Sequence, residues 1–298
     1  METLIDNLYQ RVPLCQLQVP DEVDSLELLP VLKEISASNP HYVKQFMSQS
    51  LFKRLSEEDQ DEYYELFGEI VMCKPHLATD LDLIRYNINN GTHVYIREAP
   101  RVISGSGTTG LRTWEAALFM SNWLLSTYSQ ELVGKRVLEL GTGTGLVSLA
   151  LLKDRTEVSS LTITDGDSNL IDSLSTNFKL NEIPYPSPRI NCHSLWWGQD
   201  DVPSSDVILA ADVTYDSSVI PSLVQCISDG FRNGAEIALV AATVRNEETL
   251  RAFEEELNAQ RIRWSIVEEC KDPSQLAQTV WYPKVSPEIK LYGLYNDK

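Results

Sequence analysis

The chain holds a small set of side chains whose types and spacing suit one another chemically. The first group lies in Arg136-Val137-Leu138-Glu139-Leu140-Gly141-Thr142-Gly143-Thr144-Gly145-Leu146, where apolar alternation meets an acid and then glycines at every second position. Glycine permits φ > 0 and lets a ligand approach backbone N–H groups with no Cβ in the way. Asp165 follows at about twenty residues, where doubly wound folds set a carboxylate on ribose hydroxyls. Trp197, in Leu195-Trp196-Trp197-Gly198, and Asp212 with Tyr215, in Asp212-Val213-Thr214-Tyr215, complete the set. The glycine spacing discriminates between ligands. A dinucleotide fingerprint wants glycines at relative positions one, three and six. Here the sixth position from Gly141 is Leu146, and the third glycine arrives one residue early. Glu139, just ahead of the turn, suits a cationic ligand better than a pyrophosphate. S-adenosylmethionine, with an ammonium and a sulfonium, is such a ligand, so the pattern leans toward methyl transfer and away from hydride transfer.

These residues need strands and helices to bring them together. After the turn, Val147 to Leu152 is an apolar run of helix formers. Val158 to Thr164 predicts a second strand, ending in Asp165, with a helix through Leu170 to Asn177 behind it. Arg189 to Leu195 predicts a third and weaker strand, Asp206 to Ala211 a fourth and Ile237 to Thr243 a fifth. Trp264 to Val267 and Ile289 to Tyr295 supply two more, the last as the antiparallel partner that closes the edge. Strands at βαβ intervals imply an α/β fold with a Rossmann-like seven-stranded sheet, mostly parallel, its last strand antiparallel. Gly141, Asp165, Trp197 and Asp212 all fall at carboxyl ends of strands, where such sheets bind ligands.

Residues 1 to about 100 read as a separate, small helical domain with a structural or partner-docking role, and 101 to 298 as the domain that carries the site. Asp24 to Ile35 predicts an amphipathic helix interrupted near Pro30 and ended before Asn39-Pro40. His41 to Leu55 has apolar residues at helical spacing, and Ser56-Glu57-Glu58-Asp59 resembles a helix start leading into Tyr63 to Ile70. His93 to Arg97 and Val102-Ile103 look like short strands around Pro100. A polar glycine-rich loop, Ser104 to Gly110, precedes a helix from Thr113 to about Leu125. Trp114 on its first turn is either core or a ligand contact.

Composition narrows the setting. Twenty-five Lys and Arg face 43 Asp and Glu, a formal charge of −18. That balance disfavours direct nucleic-acid binding and favours a basic partner. Five scattered cysteines without a C-x-x-C pair suggest neither a zinc ribbon nor a disulfide framework. The acidic N-terminus does not read as a secretory signal, and no run approaches a membrane span, so a cytoplasmic monomer is expected. No metal site is expected either: His76 and His93 lack partners at ligand spacing, and a lone His193 on a strand reads as structural. Glu254-Glu255-Glu256 reads as a solvated helix face. Arg245-Asn246-Glu247-Glu248-Thr249 is open between a helix cap and a pocket edge.

Taken together, the turn, Asp165, Leu195-x-Trp197-Gly198 and Asp212-x-x-Tyr215 resemble the seven-strand protein-lysine methyltransferases. Gly107-Thr108-Thr109-Gly110-Leu111-Arg112-Thr113-Trp114-Glu115-Ala116-Ala117 is similar to the branch that methylates a lysine of eukaryotic elongation factor 2, which also carries an extra N-terminal domain. The resemblance implies S-adenosylmethionine as cofactor and elongation factor 2 as protein substrate. It implies that Gly141, Thr142, Gly143 and Gly145 wrap the methionine portion, that Glu139 holds its ammonium through water, and that Asp165 accepts from the ribose. Trp197 would pack on the adenine, Ala211 line the pocket and Trp114 close over the cofactor, with Asp212 and Tyr215 on the lysine side. The other readings are a methyltransferase for another protein or a small molecule, and a non-catalytic cofactor-binding interaction protein.

Overall fold

The computed structural model describes residues 1–56, 60–89, 91–105, 107–154, 156–276 and 280–296. Glu57, Glu58 and Asp59 of the predicted helix start lie outside these.

The N-terminal region folds around its own apolar cluster. Helices α1 (Glu2–Tyr9), α2 (Ser25–Ser38), α3 (Pro40–Phe46), with a π-helical turn Met47–Leu51 continuing it, and α4 (Gln60–Ile70) bury Leu8, Leu32, Ile35, Phe46, Met47 and Tyr63 together. Asp24 and Asn39 cap α2 and α3 by accepting from the Glu27 and Tyr42 N–H groups. Contrary to expectation, α2 runs through Pro30. The proline sits near the start of the helix, and the carbonyl that its ring leaves unbonded belongs to exposed Leu26, where water can take that bond.

The region is not wholly helical. A hairpin of β1 (Asp82–Ile88) and β2 (Thr92–Glu98) follows, in antiparallel register from Asp82 opposite Glu98 to Ile88 opposite Thr92. It contains the strand predicted at His93–Arg97, but Val102-Ile103 forms none. There the chain turns, with the Val102 N–H bonded back to the Ala99 carbonyl and Ile103 exposed. The hairpin joins two parts of the molecule. Asp82 receives Arg11 at 3.0 Å, Ser38 at 3.0 Å and Asn39 at 2.6 Å, and Asp6 receives Arg85 and Asn87 at 2.7 Å each. Its apolar side chains Ile84, Ile88, Val94 and Ile96 belong to the core beneath the main sheet.

That sheet comprises β3 (Arg136–Leu140), β4 (Ser160–Asp165), β5 (Ile190–Ser194), β6 (Val207–Ala211), β7 (Ile237–Thr243), β8 (Ile262–Cys270) and β9 (Ile289–Asn296), ordered β5-β4-β3-β6-β7-β9-β8. Only β9 runs antiparallel to its neighbours, as expected for the last strand. Alternation along the strands feeds two cores. Val137, Leu161, Leu209 and Leu239 face α5 (Glu115–Trp123), α6 (Leu146–Lys153) and α7 (Ser168–Leu180). Leu138, Ile208, Ala210 and Val240 face α8 (Ile220–Arg232) and α9 (Glu247–Ala259). Central strands buried on both faces carry continuous apolar runs, which is why Val207-Ile208-Leu209-Ala210 was so legible. Among the described residues, no helix is long and apolar enough to cross a membrane.

Candidate active site

The glycine turn lies where the order of strands reverses, at the carboxyl end of β3 between β4 and β6. Gly141, Gly143 and Gly145 have φ of 65°, 53° and 86°. Gly145 caps α6 directly, so the helix begins at Leu146, the position where a dinucleotide fingerprint wants glycine. A Cβ on Gly141 would lie 2.8 Å from Val213 and 3.3 Å from the Trp197 ring. The Thr142 N–H extends the pairing to the Thr164 carbonyl at 2.9 Å.

Two carboxylates flank this turn. Asp165 accepts from the Gly143 and Asp167 N–H groups at 2.9 and 3.0 Å, one on each oxygen, which leaves a lone pair on each for a hydroxyl. Burial holds its carboxyl above the usual range. Glu139 is 2% exposed and takes a hydrogen bond from the Ser148 hydroxyl on α6. Burial pushes its carboxyl up to about 7, and neighbouring Asp165 adds to the effect. Among the described residues no cation pairs with this buried acid, so it gains from a positively charged ligand.

Trp197 lies against Gly141, half-buried, with its indole N–H buried and without a partner among the described residues. Ala211 ends β6 beside Ala241. The loop before α5 closes on the turn: a Cβ on Gly110 would come 3.0 Å from the Gly143 Cα, and the Thr113 and Thr144 hydroxyls meet at 2.8 Å. Trp114 caps α5 in an extended conformation, its indole N–H donating to the Thr109 carbonyl at 2.8 Å. Buried Glu98 anchors the loop to the hairpin, accepting from Tyr86 at 2.6 Å and from the Thr113 N–H at 2.5 Å. The cradle, the two acids and the unpartnered indole fit S-adenosylmethionine.

Asp212 stands at the end of β6 with φ 58°, the left-handed region rarely adopted outside glycine. It is 8% exposed, and its carboxylate is crowded. It accepts from Thr243 N–H at 3.1 Å and Thr243 Oγ1 at 2.9 Å, from Arg245 Nη1 at 2.9 Å and Nη2 at 3.1 Å, and more distantly from the Ala116 N–H. Arg245 also holds Glu115 at 2.8 Å, and Arg112 holds the other oxygen of Glu115 at 2.8 Å. The two guanidinium carbons lie 4.1 Å (Arg112) and 4.6 Å (Arg245) from the Trp114 ring. Tyr215 is 53% exposed.

The structure thus gathers the predicted residues along the carboxyl edge of the sheet and adds Glu115 and Arg112, to which the sequence assigned no individual role, and Arg245, whose stretch was open between a helix cap and a pocket edge. Arg245 was the most accessible of these, since it lies two residues past the predicted fifth strand. Asn246 beside it caps α9, accepting from Glu248 N–H at 2.8 Å, so this stretch is both cap and pocket edge. His193 is exposed on β5, three places along the sheet from β6.

A profile of a family described as "Lysine methyltransferase" matches residues 102–259. A Saccharomyces cerevisiae protein named protein-lysine N-methyltransferase EFM3 is 38% identical over 225 residues, which cover 70% of this chain and 66% of that protein. The human protein-lysine N-methyltransferase EEF2KMT is 32% identical over 244 residues, covering 76% of this chain and 72% of that one. The crystal structure of a putative methyltransferase complexed with SAH superimposes with a TM-score of 0.50 at 15% identity, over 80% of this chain and 66% of its own, a likeness of fold alone.

Proposed function

The chain belongs to the lysine methyltransferase family, and on that premise we propose that it methylates a lysine of eukaryotic elongation factor 2 in the cytoplasm. By family it is a protein-lysine N-methyltransferase with S-adenosylmethionine as cofactor. The choice of target rests on the Gly107–Ala117 loop, which resembles the elongation factor 2 branch, and on the identity to the human relative. The formal charge of −18 favours a basic face on the partner.

In this reading Gly141, Thr142, Gly143 and Gly145 cradle the methionine portion and Glu139 faces its ammonium. Asp165 takes the ribose, Trp197 and Ala211 line the adenine pocket, and Trp114 closes the site. Asp212 and Tyr215 receive the lysine, and residues 1–100 serve a structural or partner-docking role beside the domain formed by 101–298. The observation that carries the reading is the juxtaposition at the reversal point: β3 and β6 run side by side, and Val213, next to Asp212, reaches Gly141. When bound, S-adenosylmethionine supplies an electrophilic methyl group on a sulfonium. The chain's own work is positioning, which can supply most of the acceleration of a displacement. A free lysine titrates near ~10.4, so its amine must lose a proton to water before it can attack. Asp212 orients that nitrogen, and Tyr215 lends its ring to the positive charge, worth on the order of 0.5–2 kcal/mol.

The test is transfer of labelled methyl to purified elongation factor 2. Asp212→Ala is expected to abolish labelling while calorimetry shows cofactor binding retained. Undiminished transfer by that variant, or labelling of other proteins with elongation factor 2 untouched, refutes the assignment.

A further inference from the structure

A carboxylate offers about four lone-pair sites, and those of Asp212 are already taken. The Thr243 N–H and Arg245 Nη1 occupy one oxygen, and the Thr243 hydroxyl and Arg245 Nη2 occupy the other. A lysine nitrogen can reach Asp212 only if one of these donors yields. The Thr243 N–H is fixed in β7, at its pairing with Ile289 of β9. Arg245 is different. Its side chain is 34% exposed, against 5% for that of Asp212, and it has a second anion to fall back on in Glu115, with the Trp114 ring beneath it.

Electrostatics explains why such an arrangement helps methyl transfer. An unpaired buried carboxylate within a few ångströms of the acceptor would favour its ammonium form, which cannot attack. Arg112, Glu115, Arg245 and Asp212 instead form a set with two charges of each sign. We propose that Arg245 is a positioning residue: it holds Asp212 in place until the acceptor lysine replaces it there, and its charge, retained beside the site by Glu115 and Trp114, favours the neutral amine of the captured lysine. The inference rests on the proposed assignment of Asp212 to the lysine side.

Among the described residues, other charged or titratable groups around the pair are few. Arg112 and Glu115 approach from the α5 side, Tyr215 lies beyond β6, and Glu288 precedes β9, its carbonyl bonded to the Val244 N–H. Tyr282, in the segment between β8 and β9, feels Glu115, and burial raises its hydroxyl far out of the neutral range. Glu139, which burial pushes up to about 7, acts on cofactor binding, so at saturating cofactor the acid limb of the rate profile reports the acceptor amine.

The experiment compares wild type with Arg245→Gln, which keeps a polar side chain but removes the charge and the two-pronged contact with Asp212, and Arg245→Lys, which keeps the charge. Labelled transfer is followed from pH 6 to 10 on whichever protein the wild-type enzyme labels in a methylation-deficient lysate, and KM and kcat are then measured on that purified protein. Arg245→Gln is expected to lower KM, because the competitor for Asp212 is weaker, and to move the acid limb upward by about one unit, a tenfold loss of rate at fixed pH on that limb. Arg245→Lys is expected to restore the wild-type limb. Calorimetric cofactor titration shows that each variant is folded. A limb that stays in place in Arg245→Gln, or a KM that rises, overturns the proposal. Should label fall on a protein other than elongation factor 2, the target assignment fails while the Arg245 profiles still decide this inference.

Discussion

Replacing Glu139 by glutamine tests the electrostatic account of the cofactor side. The wild-type carboxyl is 2% exposed, and burial pushes it from the ordinary 4.5 up to about 7. Because the folded state binds this proton more tightly than the unfolded chain, the resulting stability is fully present below pH 4.5 and lost as pH rises through about 7. At about 1.4 kcal/mol per pH unit the gap amounts to about 3 kcal/mol. At about 2 °C per kcal/mol for a chain of this size, that is a melting shift of about 6 °C. Glutamine keeps the shape and does not titrate. Without cofactor, Glu139→Gln is therefore expected to melt close to wild type near pH 5 and about 6 °C above it near pH 9, once the change common to both proteins is subtracted. With cofactor the order reverses. A cation beside Glu139 draws off the proton, so wild-type affinity should rise with pH through about 7 with proton release, whereas the variant should bind more weakly and without that dependence. Thermal melts over pH 5–9 and calorimetry in buffers of different ionisation enthalpy measure both. If wild type and variant melt in parallel across the range, Glu139 is not a buried acid poised for a cation.

Gly141→Ala places a methyl 2.8 Å from Val213 on a backbone at φ 65°, so it should weaken calorimetric cofactor binding at least tenfold and lower the melting temperature. Asn181, the C-cap of α7, bridges the edge of β2, accepting from the Tyr95 N–H at 2.9 Å and donating to its carbonyl at 2.6 Å. Asn181→Ala should cost about 1–3 kcal/mol in chemical denaturation, with faster amide exchange at Tyr95. Unchanged exchange there would refute the bridge.

Much of the fold was legible because it is written in local pattern. Central strands buried on both faces are apolar throughout, and β4, β6 and β7 fell within a residue or two of their predicted spans. The glycine turn was legible because left-handed backbone and a close approach by Trp197 and Val213 both select glycine. Strand β1 was not read. Two of its seven residues, Asp82 and Asn87, are polar yet buried, and Arg11, Ser38, Asn39 and Asp6, brought from elsewhere in the chain, make that burial tolerable. Pro30 misled for a related reason, since its cost depends on whether the orphaned carbonyl of Leu26 can meet water.

The site divides along the same line. Sequence alone determined which residues end the strands, and so which side chains can stand at the reversal point and what charge they bring. It could not determine how those charges pair. Arg245 reaches Asp212 across 33 residues and Glu115 across 130, while Arg112 and Arg245 both hold Glu115 and both lie over the Trp114 ring. Periodicity encodes which way a side chain faces, but the partner that it meets depends on which distant strand end lies alongside, and only the folded sheet decides that.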